Sequence, residues 1–553
     1  MTIPRTAGQK TTLQGLCHNE SQSLIRILPQ LIEVEVHQQL RAFLREQGEP
    51  YWPHHLTMAR LVARALRLER SALIQTSAPS GYHGRYRLSY LMPALLWQTP
   101  TILVVPEAVQ QRLLMVEIPR LRQWIPADKA IRTGDRFPHD DFQGLLLTSP
   151  QSWLSDRLNG EGRFPPHIPT ILDGVDDLES WVRTQLTVTL HPRDWDDLML
   201  AYPDQVELIR DARVQLTRSL FQHPANPYDC YLMEPLDQAI LGQLYRTLLG
   251  DGQPSGKPST LDRLPDHWQQ FWTRSQQASQ LLWADVSRQY GQFSLGCCPV
   301  DLASTLDPIW QQQPVVLVGG ALDMDADAAI YRQRIGLGDV TCLKFSLDRQ
   351  NELIQLYLPD RLPMPNTPQF QAALMSELRA LLAANTANQG LTVVLVGDMP
   401  LKAQVGSILA AECGSRVQVE KTCLDERGIL ITGWDFWRQN QGVLPAPHLL
   451  VIATLPIPSL EDPLVAGRVA YYKHLRQDWF RLYLLPEALS ELQRAIAPVR
   501  ESQGVVALLD NRVNHRSYGQ QVLAALHPLA RINYLDANLF THLEGLGNRG
   551  WSL

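Results

Sequence analysis

Nine short apolar runs, at 71–75, 101–105, 144–148, 169–173, 314–319, 391–396, 428–432, 448–453 and 504–509, constrain this chain more than any other feature. Within each run polar and apolar residues do not alternate, so both faces of the resulting strand must be covered. The intervals between runs are too long for hairpins and mostly carry helical periodicity, which predicts parallel strands joined by helical crossovers. Four runs lie before residue 174 and five after residue 313, so two α/β domains are expected.

The remaining segments read differently. From Ser21 to Gly48, Leu24, Ile27, Leu28, Leu31 and Ile32 recur at helical spacing. A second helix is predicted over His54–Arg70, with Met58, Leu61, Val62, Ala65 and Leu66 on one side. Its Arg60, Arg64 and Arg67 read either as a solvated face or as phosphate contacts. Residues 182–290 are rich in Gln, Leu, Arg and Trp and read as helical, interrupted by Gly250–Ser259, whose composition is that of a flexible loop. No repeat with a period of about 20–50 residues is visible.

A length of 553 residues suits three or four domains of ~150 residues. The net charge of −6 argues against a coat-like nucleic-acid binder but leaves room for a local basic groove. Cysteines 17, 230, 297, 298, 342, 413 and 423 contain no Cys-x-x-Cys pair, as expected in a reducing compartment, and the vicinal Cys297-Cys298 reads as core or loop rather than redox-active. Met1–Lys10 lacks the pattern of a signal peptide, and no apolar run approaches the ~20 residues that span a bilayer. A cytoplasmic protein is expected.

Five blocks in the C-terminal third carry a resemblance. They are Ile431-Thr432-Gly433-Trp434-Asp435-Phe436-Trp437, Leu455–Leu464, Leu485-Pro486-Glu487-Ala488, the strand Gly504–Arg512 with its Leu509-Asp510-Asn511-Arg512, and Tyr518-Gly519. In this order they resemble the second motor domain of DinG/XPD-type helicases of superfamily 2. The N-terminal half follows the same order. Pro53–Ala59 looks like the adenine-contacting P-x-Q-L-x-M with His55 at the glutamine, and Leu88–Leu95 looks like the helix after the phosphate loop. Ile171–Glu179 stands at I-I-D-E-A-H-x-L-E, and Val318–Leu322 stands at T-S-A-T-L. The resemblance covers roughly residues 50–530. It implies two RecA-like, P-loop NTPase-type parallel-sheet domains with a helical arch-like insertion in the first. The expected division is an N-terminal helical extension (1–50), a first RecA-like domain (51–181 and 291–345), the insertion (182–290) and a second RecA-like domain (346–553).

At the positions that carry the family's chemistry the residue types have changed. A phosphate loop needs backbone N–H groups around the phosphates, a lysine on the β/γ-phosphates and a hydroxyl on Mg²⁺. Counting back from Leu88, Tyr86 takes the lysine position and Arg87 the hydroxyl position. Gly81, Gly84, Arg85, Arg87 and His55 are therefore expected to form only a vestigial nucleotide site. Asp173 stands where the Mg²⁺-coordinating aspartate belongs, but the adjacent catalytic glutamate is Gly174, so no carboxylate polarises the attacking water. The arginine-finger block Q-G-x-G-R-x-I-R reads Arg494–Glu501, with Pro498 at its first arginine and Arg500 as the candidate second.

Four cysteines between the phosphate loop and the aspartate box would be needed for the family's iron–sulfur cluster, and none lies between Cys17 and Cys230. No iron–sulfur cluster or other metal is expected, and ATP with Mg²⁺ only if the phosphate site works. His54 and His55 have no ligand partner at metal spacing. Asp323-Met324-Asp325-Ala326-Asp327 starts like a calcium loop but lacks its glycine and bidentate glutamate. Trp434, Phe436 and Trp437 read equally as base-stacking groups or as core. Three functions stay open. One is a catalytically silent relative binding single-stranded or forked nucleic acid, or a protein partner, through the inter-domain cleft. The others are an active 5′–3′ ATP-dependent DNA helicase built on Arg85 or Arg87, and an assembly protein without a nucleic-acid role.

Overall fold

The computed structural model describes residues 31–48, 50–125, 128–249, 263–347, 352–385, 390–425, 427–535 and 540. The composition-predicted loop 250–259 and the start of the first predicted helix, 21–30, lie outside the described residues.

In chain order the strands are β1 (Ala72–Gln75), β2 (Thr101–Val104), β3 (Ile131–Thr133), β4 (Leu145–Thr148), β5 (Thr170–Asp173), β6 (Val188–Leu190), β7 (Cys230–Leu232), β8 (Gln280–Ser287), β9 (Gln292–Pro299), β10 (Val315–Gly319) and β11 (Thr341–Lys344). The second half adds β12 (Ile354–Tyr357), β13 (Thr392–Leu395), β14 (Val417–Val419), β15 (Ile429–Thr432), β16 (Leu449–Ile452), β17 (Val505–Leu508) and β18 (Leu529–Ile532). Two seven-stranded sheets result, ordered β11-β1-β10-β5-β2-β4-β3 and β14-β15-β13-β16-β17-β12-β18. Every pairing in both is parallel.

All nine apolar runs are strands of these sheets, and each feeds both faces. In β1, Ala72 and Ile74 join one core while Leu73 joins the other. In β13, Val393 and Val394 divide the same way. The strands that the runs did not announce, β3, β11, β12, β14 and β18, are three or four residues long, and all but β12 are edges. An edge strand needs little apolar sequence because one side of its ladder is open.

The helix Ile32–Gln47 does not stand apart from the first domain. Its Val36, Leu40 and Phe43 enter the same core as Met58 and Val62 of the helix His55–Leu68, and Arg67 pairs with Glu33 at 2.6 Å.

Residues 182–290, expected to be helical, instead combine helices with part of a four-stranded antiparallel sheet, β6-β9-β8-β7, that runs on to Pro299. The helices Pro192–Ala201, Val206–Gln222, Pro235–Leu249 and Asp266–Ser275 enclose a separate core around Trp195, Tyr245 and Trp268. β8 and β9 mix glutamine and serine with apolar residues, because one side of an antiparallel sheet can stay wet, and so they lack the runs of a buried strand. The Cys297-Cys298 pair sits on β9, with Cys297 in the insertion core and Cys298 in the first-domain core.

Candidate nucleotide site

At the end of β1, where a phosphate loop would open, the chain winds into a short helix. Thr76 bonds the Gly319 carbonyl through N–H (2.8 Å) and hydroxyl (3.2 Å), and Ser77 takes the left-handed region at φ 76°. Residues Ala78–His83 are helical and end at Gly84, whose φ of 62° suits glycine. Three N–H groups of the segment are occupied within it: Gly81 on Ser77 O (3.1 Å), Gly84 on Gly81 O (3.2 Å) and Arg87 on Gly84 O (3.0 Å). A Cβ on Gly84 would lie 2.3 Å from Arg87 Cζ, so the guanidinium packs directly on that glycine.

Asp173, at the end of β5, is buried and fully engaged. The Tyr86 hydroxyl donates to its Oδ1, and the Tyr90 hydroxyl (2.9 Å) and Arg87 Nε (3.2 Å) donate to its Oδ2. Burial, together with the neighbouring carboxylate, pushes both tyrosine pKa values well up. For Arg87 burial works against the charge, but Asp173 outweighs it and raises the pKa. The guanidinium thus supplies the positive charge that Mg²⁺ would bring beside such an aspartate. With the carboxylate occupied and no lysine or hydroxyl at the family's positions, these residues do not fit a magnesium nucleotide.

Gly174 adopts φ 82° and donates to Val318 O at 2.9 Å. A Cβ there would meet only Trp181 Cη2, at 3.6 Å, so backbone conformation rather than space calls for glycine. The next carboxylate, Asp176, accepts from Gly320 N (2.7 Å) and Ala321 N (2.6 Å) and holds the loop after β10; burial raises its pKa. His55 is also turned inward, with Nδ1 2.8 Å from Ser89 Oγ and Nε2 2.9 Å from Pro50 O. Burial lowers its pKa to about 4.

The two sheets meet through side chains of the nucleotide-site segments. Arg85 Nη2 lies 2.5 Å from Glu501 Oε1 and His83 Nε2 lies 2.7 Å from Glu501 Oε2, while the Tyr82 hydroxyl donates to Gln441 O at 2.7 Å. Arg494 reaches back to Asp177 at 2.7 Å, and Arg334 joins Glu179 (2.9 Å) to Glu487 (2.8 Å). Glu501 is the last residue of the Arg494–Glu501 block, so where the family pattern ends in arginine this chain has a carboxylate facing Arg85 across the cleft. Sequence reasoning missed this exchange, although the reversed charge at that final position was its visible signal. A cavity of about 220 Å³ remains between the domains, bordered by Ser77, Lys344 and Phe345 on one side and Gln493, Ile496 and His527 on the other. That is below the ~300 Å³ at which small-molecule sites usually begin.

The structure also places three further groups that the sequence singled out. Arg500, the candidate arginine finger, is buried and donates to the carbonyls of Glu352 (2.6 Å), Leu526 (2.6 Å), Pro528 (3.1 Å) and His527 (3.2 Å), with its pKa lowered to about 10 by burial. It ties together the chain around β12 and β18 at the edge of the inter-domain cavity, its guanidinium taken up by these carbonyls. Trp437 is core, its indole N–H on Ala495 O at 3.1 Å, and Trp434 and Phe436 lie half-buried against the same core, so the three rings form no exposed platform. Asp323 caps the helix Ala329–Arg334 by accepting from Ile330 N (2.9 Å) and Tyr331 N (3.0 Å), which accounts for the calcium-like spacing. Among the described residues no group of three His, Cys, Asp or Glu could hold a metal, and no helix is long and apolar enough to cross a membrane.

Residues 445–529 match the family described as a helicase C-terminal domain. The chain is 23% identical over 255 residues to the ATP-dependent DNA helicase YoaA of Escherichia coli, covering 43% of this chain and 40% of that protein. It is 24% identical over 261 residues to YoaA of Haemophilus influenzae, covering 44% and 40%. The matched region thus spans about two fifths of these relatives. Among solved structures, an XPD helicase aligns over 88% of this chain and all of its own, with TM-score 0.55 and 12% identity. Xpd4 of S. tokodaii aligns over 87% of this chain and all of its own, with TM-score 0.56 and 13% identity.

Proposed function

Given that the chain is a relative of the DinG/XPD-type helicases of superfamily 2, we propose that it is a catalytically silent one, acting as a nucleic-acid-binding protein on a motor scaffold. The observation that carries this reading is the sealing of Asp173 by Tyr86, Tyr90 and Arg87. In a working motor this carboxylate must be open to a hydrated metal. Opening it here would leave two buried hydroxyls and a buried guanidinium without their acceptor, at ~3 kcal/mol or more. Loss of a single electrostatic donor typically costs 10²–10³ in rate, on the order of magnitude seen for oxyanion holes. Here lysine, hydroxyl, glutamate and finger arginine are replaced together, and such losses act as a unit.

The same exchange suggests what closes the cleft. In a motor the nucleotide bridges the two domains through its phosphates. In this chain Arg85 and His83 meet Glu501 directly, and Arg494 and Arg334 add two more crossings. The domains would then stay together without nucleotide, presenting a fixed surface to a nucleic-acid strand. The reading is tested by a thermal-shift titration with Mg·ATP. No change in Tm up to millimolar nucleotide is expected, whereas a rise that saturates with nucleotide would show a working site.

A further inference from the structure

The helix Pro463–His474 belongs to the second domain but is shared with the first. Val465 and Val469 pack inward on Tyr483 and Leu484 of their own domain. Leu464, Arg468 and Tyr472 repeat at intervals of four, one position earlier, and so lie on an adjoining face. That face meets the insertion and the first domain. Leu464 packs against the core that holds Leu73, Val104 and Leu172 of the first sheet, where Leu232 of β7 and Leu281 of β8 also pack. Arg468 donates to the Tyr483 hydroxyl at 3.1 Å and lies beside Cys298 of β9 and Arg183. Arg183 in turn donates to the carbonyls of Pro299 (3.0 Å) and Val300 (3.2 Å). Tyr472 stacks on Tyr483 at 6.0 Å, and the charges beside it include Arg334, Glu179 and Arg183 from across the boundary.

Gly467 shows how close the two parts come. It is buried inside the helix, where glycine is otherwise unfavourable. A Cβ there would lie 2.3 Å from Leu281 Cδ1 and 3.3 Å from Leu232 Cδ2, so the helix backbone rests directly on β7 and β8. This contact is separate from the crossings at the nucleotide-site segment, where Tyr82, His83 and Arg85 meet Gln441 and Glu501. The second domain is thus attached to the first at two places, by ion pairs at one and by packed side chains at the other.

We propose that the antiparallel sheet of the insertion is a clasp. It holds the second domain through the helix Pro463–His474 whether or not the nucleotide-site crossings are made, and the domains open at those crossings by pivoting about this helix. A domain that shifts at every turnover needs a contact that slides. Side chains packed around a glycine have one discrete arrangement and do not slide. The clasp stands on this contact alone and is independent of whether nucleotide is bound or hydrolysed.

The test uses the full chain without nucleotide, read by small-angle scattering and by hydrogen exchange. Gly467→Glu drives a charged side chain into the contact with Leu281 and Leu232 while favouring the helix itself. Exchange is expected to rise roughly 10-fold in the helix Pro463–His474 and in β7 and β8 together. Glu501→Arg alone should leave β7 and β8 as protected as in the parent, and Gly467→Glu/Glu501→Arg should be larger in scattering than either single variant. Gly467→Leu should behave as Gly467→Glu does. Gly467→Leu/Leu281→Ala, which moves the bulk from strand to helix, should return protection toward the parent. Leu464→Gln removes only an apolar contact and keeps the test open if the glycine variants fold poorly, with the same joint rise in exchange expected. Parental exchange in β7 and β8 in both Gly467→Glu and Leu464→Gln would overturn the clasp. So would a Gly467→Glu/Glu501→Arg molecule no larger than Glu501→Arg.

Discussion

Replacing Asp173 by alanine separates a structural aspartate from a metal ligand. In this protein the carboxylate satisfies the Tyr86 and Tyr90 hydroxyls and neutralises Arg87, all three buried or nearly so. Breaking a buried ion pair by removing one partner costs about 3–5 kcal/mol. The orphaned hydroxyls add to this, but less than their separate ~1–3 kcal/mol each, because the groups relax together. A loss of about 4 kcal/mol, at ~2–4 °C per kcal/mol for a domain of this size, lowers the first domain's Tm by roughly 8–16 °C. Differential scanning fluorimetry on the full chain reads it, with circular dichroism to show that the variant folds. The double variant Asp173→Leu/Arg87→Leu removes both charges and should recover much of the loss, since a buried pair replaced by apolar groups is often near neutral. A single variant that melts within 2 °C of the parent would refute the reasoning, because a carboxylate kept for metal is not needed for stability.

Other consequences are open to measurement. Arg500→Ala leaves up to four carbonyls without their donor, at ~1–3 kcal/mol for each one that stays buried, so urea denaturation should show a marked loss in the second domain. A finger arginine would instead leave that transition unmoved. Glu501→Arg sets a like charge against Arg85 and removes the acceptor of His83, and should expand the molecule in small-angle scattering, with Arg85→Glu/Glu501→Arg restoring compactness. Each partly exposed crossing is worth about 1 kcal/mol at most, so restoration by the double variant is the discriminating result. His55 is held neutral with its pKa lowered from 6.5 to about 4. The unfolded chain therefore binds the extra proton between pH 6.5 and 4, and stability should fall by roughly 3 kcal/mol as pH drops through that window. His55→Gln, which cannot titrate, should flatten this part of the pH–stability curve.

Much of the scaffold was legible because buried parallel strands must be apolar on both faces, and runs such as Leu145–Thr148 and Leu449–Ile452 have no other economical use. β3, β11 and β14 escaped because three- or four-residue edges carry too little pattern, and β8–β9 because an antiparallel hairpin with a wet face looks like its Gln-rich surroundings. The departures from the family pattern at Tyr86, Arg87 and Gly174 could be read as residue types. What replaced it could not. That Tyr90 turns onto Asp173, that Arg500 faces backbone carbonyls and that Glu501 meets Arg85 are contacts over 26 to 416 positions, set only once the sheets have formed. Trp437 shows the same limit, since an indole one helical turn from solvent reads identically in a core and in a binding face.

The central claim is that no nucleotide chemistry occurs between these domains. Its most direct test is steady-state phosphate release by the purified full chain in Mg·ATP, with and without single-stranded DNA. The account predicts release at the buffer rate in both conditions and no change in Asp173→Ala. Turnover stimulated by the DNA and lost in Asp173→Ala would contradict it.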